Sequence, residues 1–144
     1  MPDWSIVLGV DELNALMGRE FTGSDAASGP VMSLAPGRIS VMQPYAPGML
    51  RPGELIAGPV MMSLADTAAY MLILAHVGPE LMAVTTALNI NFLRGAKKGD
   101  VHADARLMTL GRRSAVCDVR IWTESPERPA AQATVTYARA RVEA

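Results

Sequence analysis

The stretch GPVMMSLADTAAYMLILAHV, residues Gly58–Val77, decides the fold of this chain. It is apolar on nearly every side, it carries a proline at its first turn, and Gly78-Pro79 follows it, so it predicts one long helix. A helix that is apolar all round is buried on all sides, in a protein core or in a membrane. Asp66 lies near its middle, and an ionised carboxylate is costly to bury. We therefore expect Asp66 to have a function.

This stretch has two other interpretations. A buried aspartate can simply cap a local turn or bond a neighbouring hydroxyl such as Ser63, Thr67 or Tyr70. The stretch is also long enough for a membrane span, but the acid in mid-span and flanks without a basic bias argue against that. The alternating patterns downstream need something to pack on, and this helix is the candidate.

Composition limits the classes of partner. The chain has 144 residues, enough for one domain with a sizeable core. A formal charge of −1 and an aromatic content of 5% favour neither nucleic acid nor base stacking, so we expect no nucleic-acid partner. The single cysteine, Cys117, excludes an internal disulfide and suits a reducing compartment. We expect a cytoplasmic protein with no signal segment and no membrane partner.

The apolar residues change from a helical to an alternating period after residue 80. Leu88, Ile90 and Phe92 share one face of the first alternating segment, and its two asparagines share the other. One apolar and one polar face per strand is typical of an antiparallel sheet that is wet on one side. The predicted strands are residues 84–93, Val101–Leu110, residues 115–123 and residues 131–139, preceded by residues 38–45 and a short strand at residues 31–34.

This order predicts an α+β fold in which a curved antiparallel sheet of about five to six strands wraps around one long central helix. A short amphipathic helix at residues 10–18 and a loop at residues 22–37 come first, and a loop at residues 46–57 leads into the central helix. We expect a single domain over residues 1–144, with an N-terminal helix and loop at residues 1–36 and the core at residues 37–140. Because one sheet leaves the helix partly uncovered and its own edges open, we expect a second subunit to cover the rest.

The residues around Asp66 resemble a known family. Gly58, Leu64 and Asp66 fit the spacing H-G-G-x4-L-x-D-x-A, and the run Leu88-Asn-Ile-Asn-Phe-Leu-Arg94 is close to L-N-I-N-F-L-R-P-A. Both patterns are similar to those of the hotdog-fold acyl-CoA thioesterases of the phenylacetate-degradation (PaaI) type, over residues 37–139. The resemblance implies a hotdog fold, hydrolysis of an acyl-CoA thioester to free coenzyme A and a carboxylic acid, a homodimer as the active unit and a homotetramer. It implies no cofactor beyond the coenzyme A of the substrate.

The resemblance also implies three catalytic roles. Asp66 acts as general base on water or as nucleophile, the backbone N–H of Gly58 polarises the thioester carbonyl, and Thr85 orients the attacking water. From sequence alone, Gly58 could equally serve a tight turn and Thr85 could be an ordinary strand residue; Thr86 lies on the opposite face. Gly58 and Asp66 are about 12 Å apart along a helix. We therefore expect Gly58 of one subunit to act with Asp66 of another.

The sequence departs from the family pattern at three positions. The family's histidine is Ala57, its second glycine is Pro59, and an asparagine fifteen residues before the acid is Arg51. We assign Arg51 to substrate binding, as a cation near the thioester or the coenzyme A. Ala57 argues against a hotdog dehydratase or hydratase, which would use a histidine. The missing polar groups leave a non-catalytic acyl-CoA or small-ligand binding protein as the alternative.

Cations at strand ends are candidates for the phosphates of coenzyme A. The two clusters follow successive strands: Arg94, Lys97 and Lys98 in one turn, and Arg112 and Arg113 in the next. Ordinary solvated turns are the alternative. Candidates for an apolar acyl slot are Met61, Met62, Tyr70, Met49 and Leu50, with core packing as the alternative.

Other chemistries find little support in the sequence. His76 and His102 are far apart and have no nearby cysteine or glutamate pattern, so we expect no metal. We expect Cys117 to be a buried core residue. The Gly-x-Ser-x-Gly elbow of serine hydrolases is missing from the sequence.

Overall fold

A computed structural model of the protein describes residues 4–20 and 30–139. Part of the predicted loop at residues 22–37, and the ends of the predicted domain at residues 1–3 and 140–144, lie outside these ranges. The elements are α1 (Val10–Glu20), β1 (Val31–Ala35), β2 (Arg38–Gln43), a 3-10 helix (Pro47–Met49), β3 (Leu50–Arg51), β4 (Leu55–Ile56), α2 (Gly58–Val77), β5 (Val84–Phe92), β6 (Val101–Leu110), β7 (Ser114–Trp122) and β8 (Ala131–Ala138).

Six strands form one antiparallel sheet in the order β1-β2-β6-β7-β8-β5. All predicted strands belong to it, and the predicted bounds of α2 are confirmed. The stretch at residues 46–57, which we predicted to be a loop, also contains the small hairpin β3–β4. Its tight turn depends on Gly53, whose φ is +92°. The predicted α+β architecture, one long helix against a large antiparallel sheet, is confirmed.

The helix α2 is buried mainly by the inner face of the sheet. Residues 67–75 are all buried, without a break. The strands β2, β6, β7 and β8 supply fully buried apolar side chains to this core: Ile39, Val41, Val101, Val119, Ile121 and Val135. Ala103 and Ala105, both fully buried on β6, are small enough to let the helix lie close to the sheet.

The N-terminal segment also covers α2. Three apolar residues of α1 join the core: Leu13, Leu16 and Met17. The N–H groups of Val7 and Leu8 donate to the main-chain oxygen of Ala75, at 2.7 and 3.1 Å. This oxygen lies in the last turn of α2, where a carbonyl has no intrahelical donor. The exposed residues of α2 are all in its first two turns, which are the part of the helix that the chain itself leaves uncovered.

By length and composition, α2 is the one helix in the described ranges that could cross a membrane. Its most apolar window has a mean hydropathy of 1.5, and 72% of that window is buried inside the chain. The central helix of a sheet-covered core passes the same test of length and composition.

Contacts of His76 tie the turn between β1 and β2 to the end of α2. The N–H of Gly37 donates to Nε2 of His76 at 3.0 Å, and Nδ1 of His76 lies 2.8 Å from the main-chain oxygen of Leu72. Because Nε2 accepts, Nδ1 carries the proton and donates. The indole of Trp4 contacts the His76 ring edge-on, with 6.4 Å between centroids. His76 therefore has a structural role.

Replacing Gly37 by alanine should lower the free energy of unfolding by about 2 kcal/mol or more. The φ of Gly37 is +75°, and an added Cβ would lie 2.6 Å from the Trp4 ring. Urea denaturation followed by circular dichroism measures the change. Gly48→Ala is the control, because nothing lies within 4 Å of its added Cβ. Equal midpoints for the two variants would contradict this account of the turn.

Candidate active site

The side chain of Asp66 is half-buried at the edge of the core, where hydroxyls from β5 and β8 hold it. The Thr85 hydroxyl donates to Oδ1 of Asp66 at 2.7 Å. The Tyr137 phenol donates to the same oxygen, also at 2.7 Å, and makes a longer contact of 3.2 Å with the main-chain oxygen of Asp66. Thr85, a predicted catalytic residue, therefore lies beside Asp66, and Tyr137, which no sequence motif indicated, is its second partner.

A β-bulge turns Thr85 towards Asp66. The apolar residues of β5 from Leu88 onward pack on the core, and strict alternation from there would place Thr86, and not Thr85, on the same face. The register against β8 shifts between Thr85 and Ala87, so that Thr85 lies directly opposite Tyr137. The Thr86 hydroxyl donates instead to a main-chain oxygen of β8 at 3.3 Å.

A cleft of about 410 Å³ opens beside Asp66 and is largely apolar in its lining. Met17 of α1 and Tyr70 of α2 contribute to its walls, together with Leu81. The ring of Tyr70 lies 5.7 Å from that of Tyr137, and its hydroxyl donates to the main-chain oxygen of Leu81 at 2.9 Å. The two rings therefore have fixed positions in the wall of the cleft.

Gly58 lies in a second cleft, of about 540 Å³, with Arg51 and Arg94 among its lining residues. Its N–H has no acceptor among the described residues, whereas the N–H of Val60 donates to the main-chain oxygen of Ala57 at 3.0 Å. A free N–H at a helix N-terminus is an electropositive donor. None of the residues that line this cleft lines the cleft of Asp66, so one chain keeps the two halves of the predicted site apart.

The strand β5 connects the two clefts. Thr85 bonds Asp66 near its start, and the ring of Phe92 lies over Gly58 at its end. A Cβ on residue 58 would lie 3.1 Å from that ring. The φ of Gly58 is outside the positive region, so close packing under Phe92, and not a tight turn, accounts for the glycine.

The sequence of this chain resembles a known protein family. The family model described as Thioesterase superfamily matches residues 53–130, more than half of the chain.

The chain belongs to the thioesterase superfamily. The matched region contains Gly58, Asp66 and Thr85, and it ends before Tyr137.

Solved structures of thioesterases share the fold. A protein of Silicibacter sp. TM1040, provisionally named a thioesterase, is 36% identical, covers 96% of each chain and has a TM-score of 0.86. A mutant thioesterase of Pseudomonas aeruginosa is 25% identical, covers 94% of this chain and 96% of that one, and has a TM-score of 0.77. A mutant phenylacetic acid degradation protein PaaI of Thermus thermophilus is 27% identical, covers 78% and 94%, and has a TM-score of 0.68. The predicted hotdog fold is confirmed.

A curated relative matches a shorter part of the chain than these structures do. A protein of Thermoplasma volcanium, provisionally named an esterase, is 28% identical over 86 residues, which are 60% of this chain and 64% of that protein. The match therefore spans less than two thirds of that relative.

The first predicted cation cluster of this thioesterase-superfamily chain lies near the Gly58 cleft. Arg94 and Lys97 line a small cleft of about 220 Å³ together with Arg128, a cation outside the predicted cluster. Lys97 forms an exposed ion pair with Glu124 at 3.3 Å, and Lys98 reaches another glutamate at 4.0 Å. Such exposed pairs are weak and can be exchanged for a phosphate.

The second cluster lies at the opposite end of the sheet. Arg112 and Arg113 are exposed in the turn between β6 and β7. The next residue, Ser114, pairs with Ala138 of β8, and Ala138 pairs with Val84 of β5, next to Thr85. Within one chain, the structure does not bring this cluster to Arg94.

The predicted acyl-slot residues are divided between several places. Tyr70 lines the cleft of Asp66, and Met61 lines that of Gly58. Met49 is buried and Leu50 packs against the core. Met62 is 41% exposed on the first turns of α2 and lines neither cleft.

The remaining candidate residues are buried or pack against other side chains. Cys117 is fully buried, and burial raises the pKa of its thiol to about 12, so it is not a nucleophile. His102 stacks on Trp122, with 5.7 Å between ring centroids. Within residues 4–20 and 30–139, no group of three or more histidine, cysteine or acidic side chains is placed to hold a metal ion.

Proposed function

We propose that the protein is an acyl-CoA thioesterase of the PaaI type, which hydrolyses a thioester to coenzyme A and a carboxylic acid. The observation that supports this most is the carboxylate of Asp66, held by two hydroxyls at the wall of a largely apolar cleft in a chain of the thioesterase superfamily. The names of the structural relatives point to the same reaction class.

In this proposal Asp66 works on the thioester carbonyl. As general base it takes a proton from water, the water oxygen bonds to the carbonyl carbon, the C–S bond breaks, and the thiol leaves with that proton. As nucleophile it attacks the carbon itself, the C–S bond breaks and the thiolate leaves. Water then hydrolyses the resulting anhydride, which regenerates the Asp66 carboxylate, frees the carboxylic acid and supplies the proton of the thiol. The Thr85 hydrogen is already donated to Asp66. Thr85 can therefore orient water only as an acceptor.

The carbonyl oxygen becomes negatively charged in the transition state and needs a donor. The N–H of Gly58 is suited to this role, because it lies at a helix N-terminus and has no acceptor among the described residues. It lies about 12 Å along the helix from Asp66. The donor for each Asp66 therefore comes from a second subunit.

The strand β5 is the surface through which we propose that two subunits join. It is an edge strand that pairs only with β8 in the described part of the chain, and open edges pair readily. Large apolar side chains at both ends of this edge are at least half exposed: Met82, Val84, Phe92 and Leu93. A second copy would cover them.

Antiparallel pairing of two β5 strands completes the site. Thr85 and Phe92 mark the two half-sites, and a two-fold axis between Leu88 and Asn89 is equally far from both along the strand. That axis would place Thr85 of one subunit beside Phe92 of the other, and hence the cleft of Asp66 beside that of Gly58.

The same pairing would assemble the substrate groups. Arg51 and Arg94 of one subunit would approach Arg112 and Arg113 of the other. The four arginines would form one cationic patch for the phosphates of coenzyme A. The acyl group would enter the cleft of Asp66, whose aromatic and aliphatic walls favour an apolar acyl chain.

Replacing Asp66 by asparagine should lower kcat/KM at least about 100-fold, because the amide can neither take a proton nor attack. Thiol release from a panel of aryl and aliphatic acyl-CoAs measures the rate; the buried Cys117 does not add to the signal. Thr86→Val is the matched control, because its hydroxyl lies outside the site. An active Asp66→Asn protein would overturn the role of Asp66. Binding of acyl-CoA without hydrolysis by the unmodified protein would favour the non-catalytic alternative.

Mixed dimers should recover activity from two inactive parents. Gly58→Pro removes the proposed donor, and Asp66→Asn removes the acid. In a mixed dimer one site combines both defects and the other combines the intact Gly58 and Asp66. Random mixing makes half of the dimers mixed, so about a quarter of the unmodified activity should return. Circular dichroism checks that both parents fold. No recovery from two folded, inactive parents would mean that each site lies within one chain.

A further inference from the structure

Tyr137 contacts Asp66 but has no part in the chemistry proposed above. Its phenol donates to Oδ1 of Asp66 at 2.7 Å. Its side chain is buried, with only 4% of the residue exposed. It lies beyond the region that the thioesterase family model matches.

Both hydroxyl donors act on a single carboxylate oxygen. Thr85 and Tyr137 donate to Oδ1 of Asp66 at the same distance of 2.7 Å. No side chain or N–H of residues 4–20 and 30–139 donates to Oδ2 of Asp66. Two hydrogen bonds to one oxygen fix the plane of the carboxylate and distinguish its two oxygens.

The Tyr137 phenol is itself held in place from several sides. Its second contact, at 3.2 Å, reaches the main-chain oxygen of Asp66. Its ring packs at a tilt of 35° against Tyr70, whose hydroxyl is bonded to Leu81. Burial raises the pKa of Tyr137 far above its usual value, so the phenol keeps its proton and remains a donor.

We propose that Tyr137 is a positioning residue that, with Thr85, holds Oδ1 of Asp66 and leaves Oδ2 as the oxygen that acts on the substrate. This inference rests on the proposed thioesterase function. The bulge in β5 is part of the device, because it sets Thr85 opposite Tyr137 and brings both hydroxyls to one oxygen. Positioning of this kind acts on the rate of the chemical step more than on substrate binding.

Tyr137→Phe tests the inference, because it removes the hydroxyl and keeps the ring in the wall of the cleft. We expect kcat to fall roughly 10- to 100-fold with KM changed less than about twofold. Tyr45→Phe is the matched control, because Tyr45 lines neither the cleft of Asp66 nor that of Gly58. Thermal unfolding shows whether each variant is folded.

Three outcomes would overturn the inference. One is an unchanged kcat in folded Tyr137→Phe while Asp66→Asn is inactive. Another is a rise of KM without a loss of kcat, which would make Tyr137 a wall of the acyl cleft and no more. If Tyr137→Phe is too unstable to assay, Thr85→Val tests the other hydrogen bond to Oδ1 of Asp66. An unchanged kcat in that variant counts equally against the inference. Activity that survives in Asp66→Asn is a different result, since it overturns the proposed function itself.

Discussion

The helix α2 has an apolar surface on every side, and the rest of the structure follows from the need to cover it. Burial of such a surface is the dominant favourable term in folding. The sheet covers most of the helix, and the N-terminal segment adds α1 and two N–H groups to its C-terminal end. Only the first two turns keep exposed residues, and they contain the N–H of Gly58, which has no acceptor among the described residues. Asp66 comes just after these turns, at the edge of the core.

Because the helix is rigid, it also separates the two groups that the proposed reaction needs. Gly58 and Asp66 cannot approach each other in one chain, and β5 carries a contact to each of them at its two ends. In the proposed dimer, pairing of the two β5 edges would bring Gly58 of one subunit close to Asp66 of the other. The reaction would then require the oligomer. Ala57 and Arg51, which replace a histidine and an asparagine of the family pattern, would belong to a site made of two chains.

The sequence predicted those features that leave a local pattern. The bounds of α2 are marked by Pro59 and Gly78, and the long strands by alternation, so both were found. The hairpin β3–β4 was missed because strands of two residues are too short to alternate. The partnership of Tyr137 with Asp66 was missed for another reason: Tyr137 lies in the predicted strand at residues 131–139, and no motif distinguishes it from the other residues of that strand. Alternation also could not reveal the bulge that selects Thr85, because the shift is defined only by pairing with β8.

A crystal structure with a non-hydrolysable ketone analogue of an acyl-CoA tests the central claim, a site shared by two subunits, most directly. The account predicts a dimer paired through β5, with the ketone oxygen within hydrogen-bond distance of the N–H of Gly58 of one subunit. The carbonyl carbon should then face Oδ2 of Asp66 of the other subunit. An analogue that contacts Gly58 and Asp66 of the same chain, or a dimer in which the two β5 edges remain apart, would contradict it.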